Sequence, residues 1–104
     1  MIIKIDRVYP FSLNKKEGVM REEKVGVVDH YYTNLGVVTL TLENDLTVGD
    51  TIHVKGHTSD FLQKVESIEV NHRKVERAKR GEGIGLKVKE HGRHHDIVFK
   101  VIEE

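Results

Sequence analysis

The residues with the clearest chemical potential are the cations that follow Asn71. Asn71-His72-Arg73-Lys74 leads through Arg77 to Lys79-Arg80, and Lys87 and Lys89 come shortly after. Exposed cations that hold position can contact phosphates, and an arginine-rich turn beside a strand supplies them. Lys87 and Lys89 point to the same side of a strand. His72 is placed to stack on a base. Asn71, His72, Arg73, Lys74, Arg77, Arg80, Lys87 and Lys89 are therefore the expected RNA-binding set. The competing reading is a solubilising turn neutralised by Glu76 and Glu82, because most charge runs are only solvated faces. Aromatic residues are sparse here, which weakens a single-strand stacking scheme.

His91-x-x-His94-His95, with Asp96, offers zinc-type ligands. On a loop, however, nothing fixes these groups tetrahedrally, and His94 and His95 diverge if the chain is extended. Neither a metal nor a cofactor is expected. His30, His53 and His57 are scattered, and His53 reads as a solvent-facing strand position. Ser12, Ser59 and Ser67 accompany seven histidines, yet no nucleophile elbow or fixed triad spacing is present. Nor does any framework hold two carboxylates at the few ångströms that glycosidic chemistry demands. The expectation is a protein that is not an enzyme.

The chain has 104 residues, enough for one small domain with a single core. Charged residues make up 33% and hydrophobic ones 38%, which suits a thin core in a heavily solvated shell. The absence of cysteine excludes disulfides and thiolate zinc sites. No apolar run approaches the roughly 20 residues of a membrane helix. The N-terminus lacks the apolar core and cleavage site of a signal peptide, so a cytoplasmic protein is expected. Net charge is 0, which argues against a strong sequence-independent polyanion binder. The distribution is less even: Val25 to Asn71 has two Lys/Arg against seven Asp/Glu, and His72 to His95 has eight against three. Such asymmetry either steers an anionic partner to one face or is neutralised by neighbouring segments.

The elements that must position these residues are strands. Leu46 to Gly56 reads as a turn, with Gly49 and Asp50, launching a strand whose Ile52 and Val54 share one face. Val25 to Tyr32 is a strand, Thr33 to Gly36 a turn, and Val37 to Leu42 a strand with Val38, Leu40 and Leu42 inward. Gln63 to Val70 reads as one strand, with a bulge near Glu66 or Ser67 because Val65 is out of phase. His72 to Arg80 has helical character, since Val75 and Ala78 are three apart, but is too short for a stable helix and reads as a turn or a single 3₁₀ or α turn. Gly81, Gly83 and Gly85 read as turn glycines opening the strand of Ile84, Leu86 and Val88. Glu90 to Asp96 is a histidine-rich loop, and Ile97 to Ile102 closes the chain. The result is an all-β fold, a small six-stranded closed barrel spanning 25–104. Residues 1–24 are read as an N-terminal arm or extra strand, Met1 to Phe11, followed by a linker.

Gly36-Val-Val-Thr39, Val48-Gly-Asp50, Val65-Glu-Ser-Ile-Glu-Val-Asn-His72 and Ala78-Lys-Arg-Gly-Glu-Gly-Ile-Gly85 follow one another in an informative order. In order and spacing they resemble the second domain of elongation factor Tu, a translation-factor-type β-barrel. The resemblance covers Val25 to Ile102. It implies a barrel that packs on a GTPase domain and helps hold the aminoacyl end of tRNA, with contacts at the positions of Glu69 to Arg73. Asn71 stands where that family has histidine, His72 where it has arginine or histidine, and Gly83 where it has asparagine. No G-x-x-x-x-G-K-[ST] and no Asn-Lys-x-Asp occurs, so the chain reads as such a barrel without its GTPase domain. The expected function is a translation-factor-like binding module for RNA, tRNA or the ribosome. The alternative is a protein-interaction module that docks a GTPase-like or enzyme partner or self-associates, as a monomer or weak homo-oligomer.

Overall fold

Alternation of apolar and polar residues buries one face of each longer strand and leaves the other to solvent. The computed structural model describes residues 20–103, which form ten strands and no helix. These are β1 (Met20–Tyr32), β2 (Val37–Thr41), β3 (Leu46–Thr47), β4 (Thr51–Lys55), β5 (Asp60–Lys64), β6 (Ile68–Val70), β7 (Arg73–Val75), β8 (Arg77–Ala78), β9 (Gly83–Lys87) and β10 (Ile97–Glu103). Val38 and Leu40, Ile52 and Val54, and Ile84 and Leu86 are the buried apolar members of β2, β4 and β9, as the alternation requires, and in β4 the intervening His53 is buried as well. Each such side chain contributes about 1.5–3 kcal/mol by leaving water.

Eight strands form one antiparallel sheet in the order β5-β4-β10-β1-β2-β9-β6-β7, and β3 and β8 form a separate ladder. The long β1 serves both halves. Residues up to Val27 pair with β10, and Val28 onward pairs with β2. Its register shifts between Lys24 and Gly26 and again between Val28 and His30. Bulges of this kind bend a strand and raise its twist, so one strand turns the corner of a curved sheet.

The fold is an open half-barrel, not the closed six-stranded barrel expected. The outermost strands β5 and β7 do not pair with each other. Smaller contacts bridge the opening instead. Gly49 N donates to Val65 O, Val48 N donates to Glu76 O, and Leu46 pairs with Ala78. The buried Gln63 of β5 donates to Lys87 O at 3.0 Å and accepts from Lys89 N at 2.8 Å.

Three local expectations are corrected. Within His72 to Arg80, Arg73–Val75 and Arg77–Ala78 are extended as β7 and β8, while His72 and Arg80 lie in the flanking turns. The Val75 and Ala78 spacing serves two remote pairings, to Ile68 and Leu46, not a helical turn. Gln63 to Val70 is split between β5 and β6, which lie near opposite ends of the sheet, and the buried Val65 sits in the break. Of the three glycines at 81, 83 and 85, only Gly81 turns with positive φ, whereas Gly83 and Gly85 lie within β9. The expected strand or arm of Met1 to Phe11 lies outside the described residues, and β1 begins at Met20.

Candidate functional site

The outer face of β2, β9 and β6 is organised by its register. Thr39 of β2, Gly85 of β9, Glu69 of β6 and Lys74 of β7 form one continuous row across the sheet. Thr41 and Gly83 are paired in the next row, and Tyr32, Val37 and Lys87 on the other side. Because two of the β9 positions lack side chains, the middle of this face is bare backbone. It forms the floor of an open groove of about 1050 Å³.

The β6–β7 hairpin forms one wall. Val70 pairs with Arg73, leaving Asn71 and His72 as its two-residue turn, with φ of 53° and 65°. Positive φ at both central residues is the geometry of the type I′ turn, which suits the twist of a tight hairpin. Asn71 tolerates it, whereas His72 carries local strain. The opposite end is formed by the β1–β2 turn, where Leu35 N and Gly36 N both donate to Tyr32 O. Tyr32 and Leu35 line the groove and are 46% and 60% exposed. Asp29, Glu66 and Glu69 line it with Lys74 and Lys87, so acidic side chains outnumber lysines.

Four of the eight sequence-predicted contact residues meet here: Asn71, His72, Lys74 and Lys87. The other four do not line the groove. Arg73 is exposed on β7 opposite Val70, and Arg77 is exposed on β8 opposite Thr47. Arg80 is exposed, and its backbone N–H donates to Asp45 Oδ1 at 3.0 Å. The Lys89 ammonium lies 3.5 Å from Glu66 Oε2. The Lys87 ammonium donates to Leu35 O at 3.1 Å, which ties the groove wall to its end. Sequence reading missed Asp29, Tyr32, Leu35 and Glu66; the alternation of glycines at 83 and 85 on one strand face was the available signal.

A second cluster lies on β4. His53 was expected to face solvent, but it is only 2% exposed. Its Nδ1 lies 2.6 Å from Glu22 Oε2 and its Nε2 2.6 Å from Asp60 Oδ1, and the Phe99 ring lies 6.2 Å away. With both nitrogens engaged, the imidazole is a buried cross-link between strands. The histidine loop behaves differently from expectation too. His95 has φ of 79°, so His94 and His95 do not diverge but stack with centroids 3.8 Å apart, while His91 packs on Tyr31. Among the described residues no group of three or more His, Cys, Asp and Glu side chains is arranged to hold a metal ion.

Comparison with known proteins changes the functional frame. The chain is 31% identical over 96 residues to an uncharacterized protease of Methanocaldococcus jannaschii, a match covering 91% of this chain and 24% of that protein. It is 36% identical over 78 residues to a collagenase of Porphyromonas gingivalis, covering 73% of the chain and 22% of the collagenase. The chain thus spans about a quarter of the length of these relatives. Its fold is that of the C-terminal domain of a putative U32 peptidase from Geobacillus thermoleovorans, at a TM-score of 0.70 and 23% identity, covering 75% of this chain and 91% of that domain. No family model matches the chain.

These matches overturn the resemblance to the second domain of elongation factor Tu, and the translation-factor-like, RNA-binding reading falls with it. The docking of a GTPase-like partner rested on the same resemblance. The physical reason is visible in the groove. Half of the residues expected to form a phosphate-binding face do not line the groove, and three carboxylates sit among the cations that do. Among the described residues no helix is long and apolar enough to cross a membrane.

Proposed function

We propose that this chain is a protease-associated accessory domain, which serves the catalytic part of a peptidase without hydrolysing peptide bonds itself. One observation carries the reading: nearly the whole chain corresponds to a quarter of a protein named as a protease. A segment of that size recurs in a collagenase, and the same fold forms the C-terminal domain of a putative peptidase. The local chemistry agrees with an accessory role. The one buried imidazole with two carboxylate neighbours has both nitrogens occupied, so it is not poised to take a proton from a nucleophile. Ser59 is buried and its hydroxyl makes no hydrogen bond, while Ser67 lines the open groove.

The test uses the chain alone and as a graft. Purified chain incubated with gelatin and casein leaves both intact. Deleting the matching segment of the Methanocaldococcus protease lowers cleavage of the same proteins by about tenfold, a loss of roughly 1.4 kcal/mol in effective binding. Inserting this chain in its place restores most of the activity. Cleavage by the chain alone, or a deletion without effect, would sink the proposal.

A further inference from the structure

The glycines of the groove floor have no explanation inside the fold. Gly81 needs its positive φ of 93°, but Gly83 and Gly85 lie in β9 with φ outside the left-handed region. A Cβ at Gly83 meets nothing within 4 Å, and one at Gly85 meets Val37 Cγ1 at an ordinary 3.4 Å. Both could therefore carry side chains. Glycine inside a strand weakens it and often marks a place where another backbone approaches closely. Here the two lie on the same face, Gly85 between Thr39 and Glu69 and Gly83 beside Thr41, and keep a groove of about 1050 Å³ open to the backbone.

We propose that this groove binds an extended polypeptide, laid over Gly83 and Gly85 with an apolar side chain against Tyr32 and Leu35. The inference rests on the accessory reading and names what the accessory domain holds. Tyr32, Leu35 and Leu62 are the large hydrophobics left exposed among the described residues, and the first two flank this groove. Exposed aromatic and aliphatic anchors beside a concave floor are the usual seat of binding energy. The charges select the class of ligand. Asp29, Glu66 and Glu69 oppose a polyanion, whereas Lys74 and Lys87 among them suit a chain that is neutral along its backbone and carries both signs on its side chains. The strained Asn71–His72 turn forms the far wall, and strain held in a turn commonly accompanies a ligand contact.

The test is fluorescence anisotropy of dye-labelled, unfolded β-casein titrated with the full chain. Three forms are compared: wild type, Gly83→Val, and the double variant Tyr32→Ala with Leu35→Ala. Valine suits a strand and the site has room for it, so Gly83→Val keeps or raises the melting temperature. It nevertheless loses about tenfold or more in affinity, as does the double variant. The groove assignment is overturned by wild-type chain that does not bind casein, by folded variants that bind as wild type does, or by labelled polyuridylate displacing the casein. Failure here with a successful graft in the protease leaves the accessory role standing. A chain that cleaves casein overturns that role and leaves the groove to be judged on binding alone.

Discussion

His53 illustrates how much one side chain can hold together. It lies on β4, between β5 and β10, and joins Glu22 of β1 to Asp60 of β5 through its two ring nitrogens. The Glu22 side chain is 25% exposed and that of Asp60 42%, so water screens part of each interaction. The imidazole itself is enclosed. His53→Ala removes two short side-chain contacts to carboxylates together with the packing of a buried ring. The expected cost is about 2–3 kcal/mol, from the large-to-small and hydrogen-bond terms combined. For a domain of this size that corresponds to a fall of roughly 10 °C in melting temperature. Calorimetry on the variant measures it directly, and an unchanged melting temperature would show that the cross-link contributes nothing. The sequence identified His53 correctly as the residue between Ile52 and Val54, on the opposite face. Its burial was not legible, because Glu22 is 31 positions away and alternation describes one strand at a time.

At the scale of elements, the β6–β7 hairpin joins stability to the groove. A type I′ turn prefers glycine at its second central position, where this chain has His72 at φ 65°. Holding an ordinary residue there costs on the order of 1–2 kcal/mol. His72→Gly relieves that cost but returns some of it as unfolded-state entropy. A net stabilisation of about 0.5 kcal/mol is expected. Urea denaturation checks the sign, and a destabilised variant would mean that His72 makes contacts outweighing its strain. The turn residues were singled out in the sequence, but for contact with nucleic acid. The strands around them were less legible. The alternation of Val38 with Leu40, and of Ile84 with Leu86, declares a buried face without reference to partners. Val75 and Ala78 are buried or half-buried for pairings to Ile68 and Leu46, and their spacing alone equally fits one helical turn. The groove has the same character. Lys74 and Lys87 were visible as cations, whereas the carboxylates of Asp29 and Glu66 join them only after the sheet curves.

For the molecule as a whole, an open sheet leaves edges that a closed barrel would have removed. Openness could not be read from local pattern, since it depends on whether β5 and β7, distant in the sheet, come together. It has a consequence for association. Unpaired strand edges recruit other strands unless something blunts them. The β7 edge carries Arg73 and Lys74, both exposed, and the β5 edge carries Asp60 and Lys64 around the exposed Leu62. The formal net charge of 0 supplies no long-range repulsion between copies, so protection must come from these local charges and the shortness of the strands. Replacing both Arg73 and Lys74 with valine removes the charge and raises β propensity along the same edge. Sedimentation velocity is expected to find the wild-type chain as a monomer and the double variant shifting to larger species as concentration rises. Added salt should push the wild type in the same direction, because repulsion between two cationic β7 edges is screened within roughly 10 Å at 0.1 M ionic strength. A double variant that sediments as wild type does across that concentration range would locate the protection elsewhere, in the curvature of the sheet and not in the charge of its edge.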